Sequence, residues 1–476
     1  MLGSPKIALL TNDEMKKIHA AALDVLANVG MIFPAKEALD VFKKAGAEVD
    51  YTKSLVNPSP DLINECIKKA PRTVELWARD KKYNETLGDG NAHFGAFGGA
   101  TYIKDIDSGL RRRATNKDLA DAIRIVDASE NVSFTEQVVN PQDVPQKVLD
   151  TYAWATMLKN TVKHVHGCAT TAACARNAIK MGSAITGDKE TLRKKPILNV
   201  FILTVPPLSN DGPSLEGIME AAENGIPITI SSGNMAGATA PVTLAGGLTL
   251  GAAEVLCTAA LVQLINPGNP VIYAVGARIL DMKTTNVSLG CPEWALSRIC
   301  NAEMAHYFGL PSWGMCLMTE SKIFDAQAGY EKMASLLMAM LSGNDQVWGG
   351  LMDSNNVASL EGLVIENEMV GMVRRIIRGI DINEETLAVN VIREIGPEQT
   401  FLKSKHTLRH YRNELWMPAI AERRFWDDWM RDGGKDIQIR AKAKAREILR
   451  SHVVEPLPGD VVKEIDRIVS EAEKAQ

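Results

Sequence analysis

Apolar positions recur along this chain with more than one period, and the period changes twice. Near the start, Thr11-Asn12-Asp13-Glu14 sets a capping threonine three residues before a glutamate, and Ile18, Ala22, Val25, Leu26 and Val29 follow at helical spacing until Gly30. The same reading predicts a second helix over Lys36 to Lys44 stopped at Gly46, a third from Pro60 to about Ala70, and a short β element at Thr73 to Trp77. Residues 1–90 are therefore expected to form a helical cap.

From 91 to about 360 the pattern becomes short apolar runs separated by helix-length segments. The runs are His93–Gly98, Val132–Val138, His164–Cys168, Leu198–Val205, Ile226–Ser232, Val271–Gly276, Pro311–Leu317 and Gln346–Met352. Eight strands alternating with amphipathic helices, as over Asn116 to Ala128 and Tyr330 to Leu341, predict an α/β fold. The specific expectation is a (β/α)8 TIM-type barrel with an N-terminal helical cap and a C-terminal helical extension. A doubly wound open sheet is the alternative, although neither G-x-G-x-x-G nor a Walker A sequence follows any run.

Residues 361–476 turn helical and more charged. Between His406 and Trp429, Arg409, Arg412, Arg423 and Arg424 interleave with Tyr411, Trp416, Phe425, Trp426 and Trp429. This composition suits a docking surface for another protein, and the competing reading is a helix that docks its aromatics on the barrel with its arginines solvated. Val242 to Ile265 is apolar enough to span a bilayer on paper. Glu254 and Gln263 inside it, and Pro241 and Pro267 in place of cationic flanks, favour a buried helix instead.

Composition narrows the function classes. The 476 residues are 46% hydrophobic and 23% charged, with a formal net charge of -5, so the basic footprint of a nucleic-acid binder is missing. Seven scattered cysteines without C-x-x-C, and no apolar leader, fit a reducing cytoplasm with no membrane partner.

In a barrel of this kind, chemistry belongs at the C-terminal ends of the strands. Candidates there are Phe94, Phe97, Tyr102, Glu136, Gln137, Asn140, His166, Cys168, Thr204, Asn234, Arg278, Trp313, Glu320, Asp325, Trp348 and Asp353. Phe94, Phe97, Tyr102, Trp313 and Trp348 would wall a cage for a quaternary ammonium group, each ring worth about 0.5–2 kcal/mol. Simple filling of the barrel layers is the alternative for any one ring. His166, Asn234 or Arg278 would engage a substrate carboxylate, and Glu320 or Asp325, flanking Phe324, would balance a cationic substrate or else face only solvent. Ser231-Ser232-Gly233-Asn234 reads either as an anion nest or as a plain turn. His164, His166 and Cys168 alternate on one strand, and with Cys316 they form a weaker candidate zinc set. No serine–histidine–acid order or glycosidase carboxylate pair stands out.

Three separated motifs resemble the trimethylamine methyltransferase family. They are Phe94-Gly95-Ala96-Phe97-Gly98-Gly99-Ala100 with Arg113-Ala114-Thr115-Asn116-Lys117-Asp118, then Ser321 to Glu331, and His406-Thr407-Leu408-Arg409-His410-Tyr411 through Trp429. The resemblance implies a barrel that moves a methyl group from an amine to the Co(I) of a corrinoid protein. The cobalamin would belong to that partner, with no tightly bound cofactor, no catalytic acid or base and no metal in this chain. Trimethylamine enzymes of the family carry pyrrolysine; this sequence has only ordinary residues and looks similar to the branch acting on betaines. A quaternary amine is the expected substrate: glycine betaine first, giving dimethylglycine, then proline betaine, carnitine or butyrobetaine. Binding would place the trimethylammonium head among the rings. A zinc-dependent corrinoid methyltransferase using His166, Cys168 and Cys316, and a non-catalytic betaine-binding barrel, are the rival readings. A homo-oligomer is expected.

Overall fold

The computed structural model describes residues 6–96 and 98–475. Its centre is a parallel barrel of strands β1 (His93–Ala96), β2 (Phe134–Thr135), β3 (His164–Cys168), β4 (Leu198–Leu203), β5 (Ile228–Ser231), β6 (Val271–Ala274), β7 (Trp313–Met315) and β8 (Gln346–Gly349). Each strand pairs with the next in sequence, β8 pairs with β1, and a Tyr273–Ser312 bridge joins β6 to β7. The order is that of a closed (β/α)8 barrel, and all eight apolar runs contain its strands.

The helices between strands are α1 (Asn116–Ala128), α2 (Leu149–Asn160), α3 (Ala172–Thr186), α4 (Gly212–Glu223), α5 (Leu244–Ile265), α6 (Pro292–Phe308) and α7 (Ala326–Leu341); α8 (Leu360–Ile377) follows β8. Helix α8 packs against α7 and α1, so the barrel's last element lies beyond residue 360. The apolar α5 owes its composition to being buried on several sides. The cap helices Asn12–Asn28, Lys36–Lys44 and Pro60–Lys69 cover it opposite the barrel, and 83% of its most apolar window is buried.

The cap forms for the reasons its sequence states. Thr11 and Glu14 exchange the reciprocal bonds of a capping box, and Gly30 and Gly46 take positive φ beyond the first two helices. Ile18, Ala22 and Leu26 are buried as expected, whereas Val29 is exposed because the helix ends before its face turns inward.

Past α8 come α9 (Glu384–Leu387), α10 (Val389–Ile395), α11 (Lys405–Glu414) and α12 (Trp426–Arg431), then α13 (Ile437–Ser451) and α14 (Gly459–Lys474). The aromatic segment is not one helix: the chain leaves helical conformation after Glu414 and resumes it only at Trp426, with Pro418 between. Its rings do not cover the barrel in the way a docked helix would, since Phe425 is 88% and Trp426 69% exposed. Helix α13, by contrast, packs on α8 and α1, and α14 on α2 and α3.

Candidate active site

A cavity of about 290 Å³ opens at the C-terminal ends of the barrel strands. Its wall draws Glu136, Gln137 and Asn140 from beyond β2, Asp150 from α2, and Cys168 and Thr170 from the end of β3. Phe201 and Leu203 come from β4, Ser231 and Ser232 from β5, Gly276 and Arg278 from beyond β6, Trp294 and Arg298 from α6, and Trp313 and Met315 from β7. The volume falls just below the range of about 300–1,000 Å³ for small-molecule sites, which suits a small ligand.

The charges in this wall are sorted by side. Glu136 is buried, and the His166 imidazole faces it, with Nδ1 3.4 Å from Oε2 and no hydrogen bond between them. Desolvation holds the Glu136 carboxyl well above the usual carboxylate range and pushes His166 down to about 3. Burial thus favours the protonated form of Glu136 and keeps the His166 imidazole neutral. Asp150, also raised by burial, accepts a hydrogen bond from the Thr170 hydroxyl. Cys168, beside both carboxyls, is held as a thiol chiefly by burial.

On the far wall stand Arg278 and Arg298. Among the described residues neither has a carboxylate partner: Arg298 Nη2 donates to Ser297 Oγ at 3.0 Å, its Cζ lies 3.8 Å from the Trp294 ring centroid, and Nε is unbonded. Burial lowers the pKa of both, that of Arg298 to about 9, with the neighbouring Arg278 charge contributing. Gly276 makes room for this arrangement, because a Cβ there would sit 1.3 Å from Arg298 Nη2. Two like charges held together without a counter-ion among the described residues have the chemistry to take up an anion.

Between the walls lies an aromatic floor. Phe201 and Trp313 stand 5.6 Å apart, and behind them His166 stacks parallel to Trp313 at 6.4 Å and Trp348 lies 4.3 Å from His166. Phe134 meets Trp348 edge-on at 4.2 Å. Gly95 leaves space for that ring, since a Cβ would fall 2.1 Å from Phe134 Cε2.

The nine residues expected at the site part company here. Arg278 and Trp313 line the cavity, and His166 and Trp348 lie directly behind its rings. Phe94 is buried in the core and is not among the lining residues; Phe97 lies outside the described residues. Tyr102 belongs to a separate sheet, pairing with Val357 and Arg113, with Arg111 over its ring at 4.4 Å. The Asn234 amide donates to the Gly247 carbonyl and lines no part of the cavity. Glu320 is occupied by the backbone N–H groups of Leu289 and Gly290 and the Ser288 hydroxyl. It fastens the segment leading into α6 and does not face the cavity.

The expected anion nest is consumed internally. The Ser232, Gly233 and Asn234 N–H groups donate to the Ala274 carbonyl, Thr204 Oγ1 and Ser232 Oγ. The Thr204 and Ser232 hydroxyls in turn donate to Glu254 of α5 at 2.6 and 2.7 Å. Nor do His166, Cys168 and Cys316 converge: among the described residues, the cluster of three ligand atoms within 4.8 Å of one another is Glu385, His406 and His410. His164 is committed to the Trp77 carbonyl and Asn199 Oδ1.

The motif residues act as supports for the site. Gly98 lets the chain pass Gln137, whose carbonyl oxygen would lie 1.7 Å from a Cβ. Asp118 caps α1 through Thr115 and takes both Arg112 Nη groups, at 2.6 and 2.8 Å. Asp325 caps α7, and Glu331 accepts from the Thr319 hydroxyl and the Glu320 N–H, shaping the loop after β7. Beyond β8, Asp353, Ser354 and Asn355 all take positive φ, and Asn355 reaches the cavity with its Oδ1 unbonded.

The trimethylamine methyltransferase (MTTB) family model matches residues 2–475. Trimethylamine methyltransferase MttB1 of Methanosarcina acetivorans is 33% identical, covering 100% of this chain and 97% of its own length. The glycine betaine methyltransferase of Desulfitobacterium hafniense is 32% identical, covering 99% and 98%. Among solved structures, the monomethylamine methyltransferase MtmB of Methanosarcina barkeri aligns over 99% of this chain and 95% of its own, with 13% identity and a TM-score of 0.48. Barrel, cavity and full-length match together place the chain in the trimethylamine methyltransferase family.

Proposed function

We propose that this protein transfers a methyl group from a small betaine, glycine betaine before its larger analogues, to the Co(I) of a corrinoid carried by a separate protein. The observation behind this reading is the sorting of groups across the cavity among the described residues: carboxyls without cations on one wall, arginines without carboxylates on the other, rings between. A zwitterion with a quaternary ammonium head and a carboxylate tail satisfies both walls at once. Trimethylamine would leave the arginines unpaired, and pyrrolysine is absent from the sequence. The relative named as a glycine betaine methyltransferase adds support.

In this reading Phe201 and Trp313 receive the ammonium head on the Glu136 side, and Arg278 and Arg298 take the carboxylate. The carboxylate role falls to the arginines and not to His166 or Asn234. Ionisation of Glu136 accompanies binding, because the incoming positive charge favours the carboxylate form. The methyl acceptor is a second substrate: a cavity of about 290 Å³ admits a small amine but not a corrin ring, so a partner protein presents it at the barrel mouth. Transfer forms the carbon–cobalt bond while the N–CH3 bond breaks, and the bonding pair returns to nitrogen. An uncharged tertiary amine leaves, so no acid or base is needed. Positioning and exclusion of water supply the rate enhancement.

The exposed Phe425 and Trp426, with Arg423 stacked 5.5 Å from the Trp416 centroid, are the proposed docking surface for the partner. The test is formation of methyl-Co(III) from Co(I) corrinoid protein and each of glycine betaine, proline betaine, carnitine, butyrobetaine and trimethylamine. Methylation with glycine betaine but not trimethylamine supports the reading. Methylation with trimethylamine alone refutes it. Betaine binding without methylation favours the non-catalytic alternative.

A further inference from the structure

We infer that Glu385, His406 and His410 form a binding site for one divalent transition-metal ion of the zinc class, outside the substrate cavity. His406 and His410 are four residues apart on α11, so helix geometry places them one above the other on one face. Their rings lie 4.3 Å apart at 35°. Glu385 of α9 faces both: its Oε1 is 2.9 Å from His410 Nε2, and its main-chain carbonyl is 3.1 Å from His406 Nε2. One ligand atom from each residue falls within 4.8 Å of the other two.

Two imidazole nitrogens and one carboxylate oxygen are a borderline donor set, suited to zinc more than to magnesium or calcium. At ligand distances of about 2.1 Å, tetrahedral geometry sets the donors about 3.4 Å apart. Small side-chain rotations close the remaining gap, with a fourth position left for water. Arg409, whose Nη1 is 3.6 Å from Glu385 Oε1, is the competing cation and would move to the second carboxylate oxygen.

The surroundings show what such an ion would do. Helices α9, α10, α11 and α12 contain no buried residue, and Leu408 is 73% exposed, so apolar packing holds this segment weakly. An ion shared by α9 and α11 cross-links two elements separated by α10 and residues 396–404, and its binding free energy becomes ordering free energy for the segment. None of the three ligands lines the substrate cavity, which makes the role structural.

The test uses untagged full-length protein stripped with a chelator and titrated with Co(II), then with zinc. The expected result is one equivalent bound per chain, with the intense visible absorption of tetrahedral Co(II), displaced by zinc, and with protection of the 380–415 segment from proteolysis. His410→Ala and His406→Ala should each weaken binding by more than the about 10–100-fold that loss of an outer-shell partner costs, with an unchanged far-UV spectrum. Absence of stoichiometric binding at micromolar metal in the wild type would overturn the inference. So would binding that survives in the His406→Ala/His410→Ala double variant.

Discussion

Glu136 and Arg278 stand on diametrically opposed walls of the barrel: one follows β2, the other follows β6, and the same number of strands separates them in either direction. Among the described residues neither has a partner of opposite fixed charge. An acid and a guanidinium withdrawn from bulk water on opposite sides of the barrel, with no salt bridge between them, are costly to keep in a folded chain. The proposed zwitterionic substrate supplies what each lacks.

The anion arm is tested at Arg278, whose guanidinium makes no salt bridge among the described residues. Arg278→Met should weaken glycine betaine by about 1.5–3 kcal/mol, the worth of a hydrogen bond to a charged group, or about 10–100-fold in KM. Choline, which has no carboxylate, should be affected little. Competition binding with both ligands reads the difference, and equal losses would argue against carboxylate recognition.

The cation arm carries a pH signature. Because burial raises the Glu136 carboxyl and the ammonium favours its ionised form, betaine affinity should climb with pH and binding should release a proton. Calorimetry in buffers of different ionisation enthalpy measures that proton; Glu136→Gln should abolish it.

The same residue should show a cost in stability. A carboxyl whose folded pKa lies above its unfolded value near 4.5 contributes nothing unfavourable below that value, and stability falls as pH rises toward the folded pKa. Glu136→Gln should therefore raise Tm at neutral pH, with the gain fading toward pH 4.5. A gain independent of pH would mean that repacking, not ionisation, is responsible.

Ring character matters at Trp313. Loss of one cation–π wall in Trp313→Leu should cost about 0.5–2 kcal/mol of ammonium binding, seen as about 2–30-fold in KM, whereas Trp313→Phe should recover most of it. Identical values for the two variants would reduce Trp313 to a filler of the barrel layer.

Glu320 should behave as a structural residue. Glu320→Ala leaves the Leu289 and Gly290 N–H groups without their acceptor and should cost about 1–3 kcal/mol of stability. The ratio of glycine betaine to choline binding should stay at its wild-type value.

The eight strands were legible because each apolar run is short and bounded, and the connecting helices carry a 3.6-residue stripe. Helix α5 was legible as buried for a composite reason, its glutamate and its lack of cationic flanks. The cavity was harder to read. Phe201 sits inside the apolar run Leu198–Val205 and looks like any core residue until the barrel closes around it. Arg298 lies in the middle of a barrel helix, and only its approach to Gly276 brings it to the site. Glu136 was visible at a strand end, but its lack of a partner is a three-dimensional fact. Tyr102 and Glu320 were misleading because closeness in sequence to a strand end does not say which way the loop folds. The first pairs into an outer sheet, and the second turns back onto the segment before α6.

The most direct measurement compares kcat/KM for methyl-Co(III) formation with glycine betaine and with choline, using the same enzyme and the same Co(I) corrinoid protein. The two molecules share the trimethylammonium head and differ in the carboxylate. Glycine betaine should be preferred by about 10–100-fold, the value of pairing the cavity arginines, with dimethylglycine as the product. Equal use of choline, or a preference for trimethylamine, would contradict it.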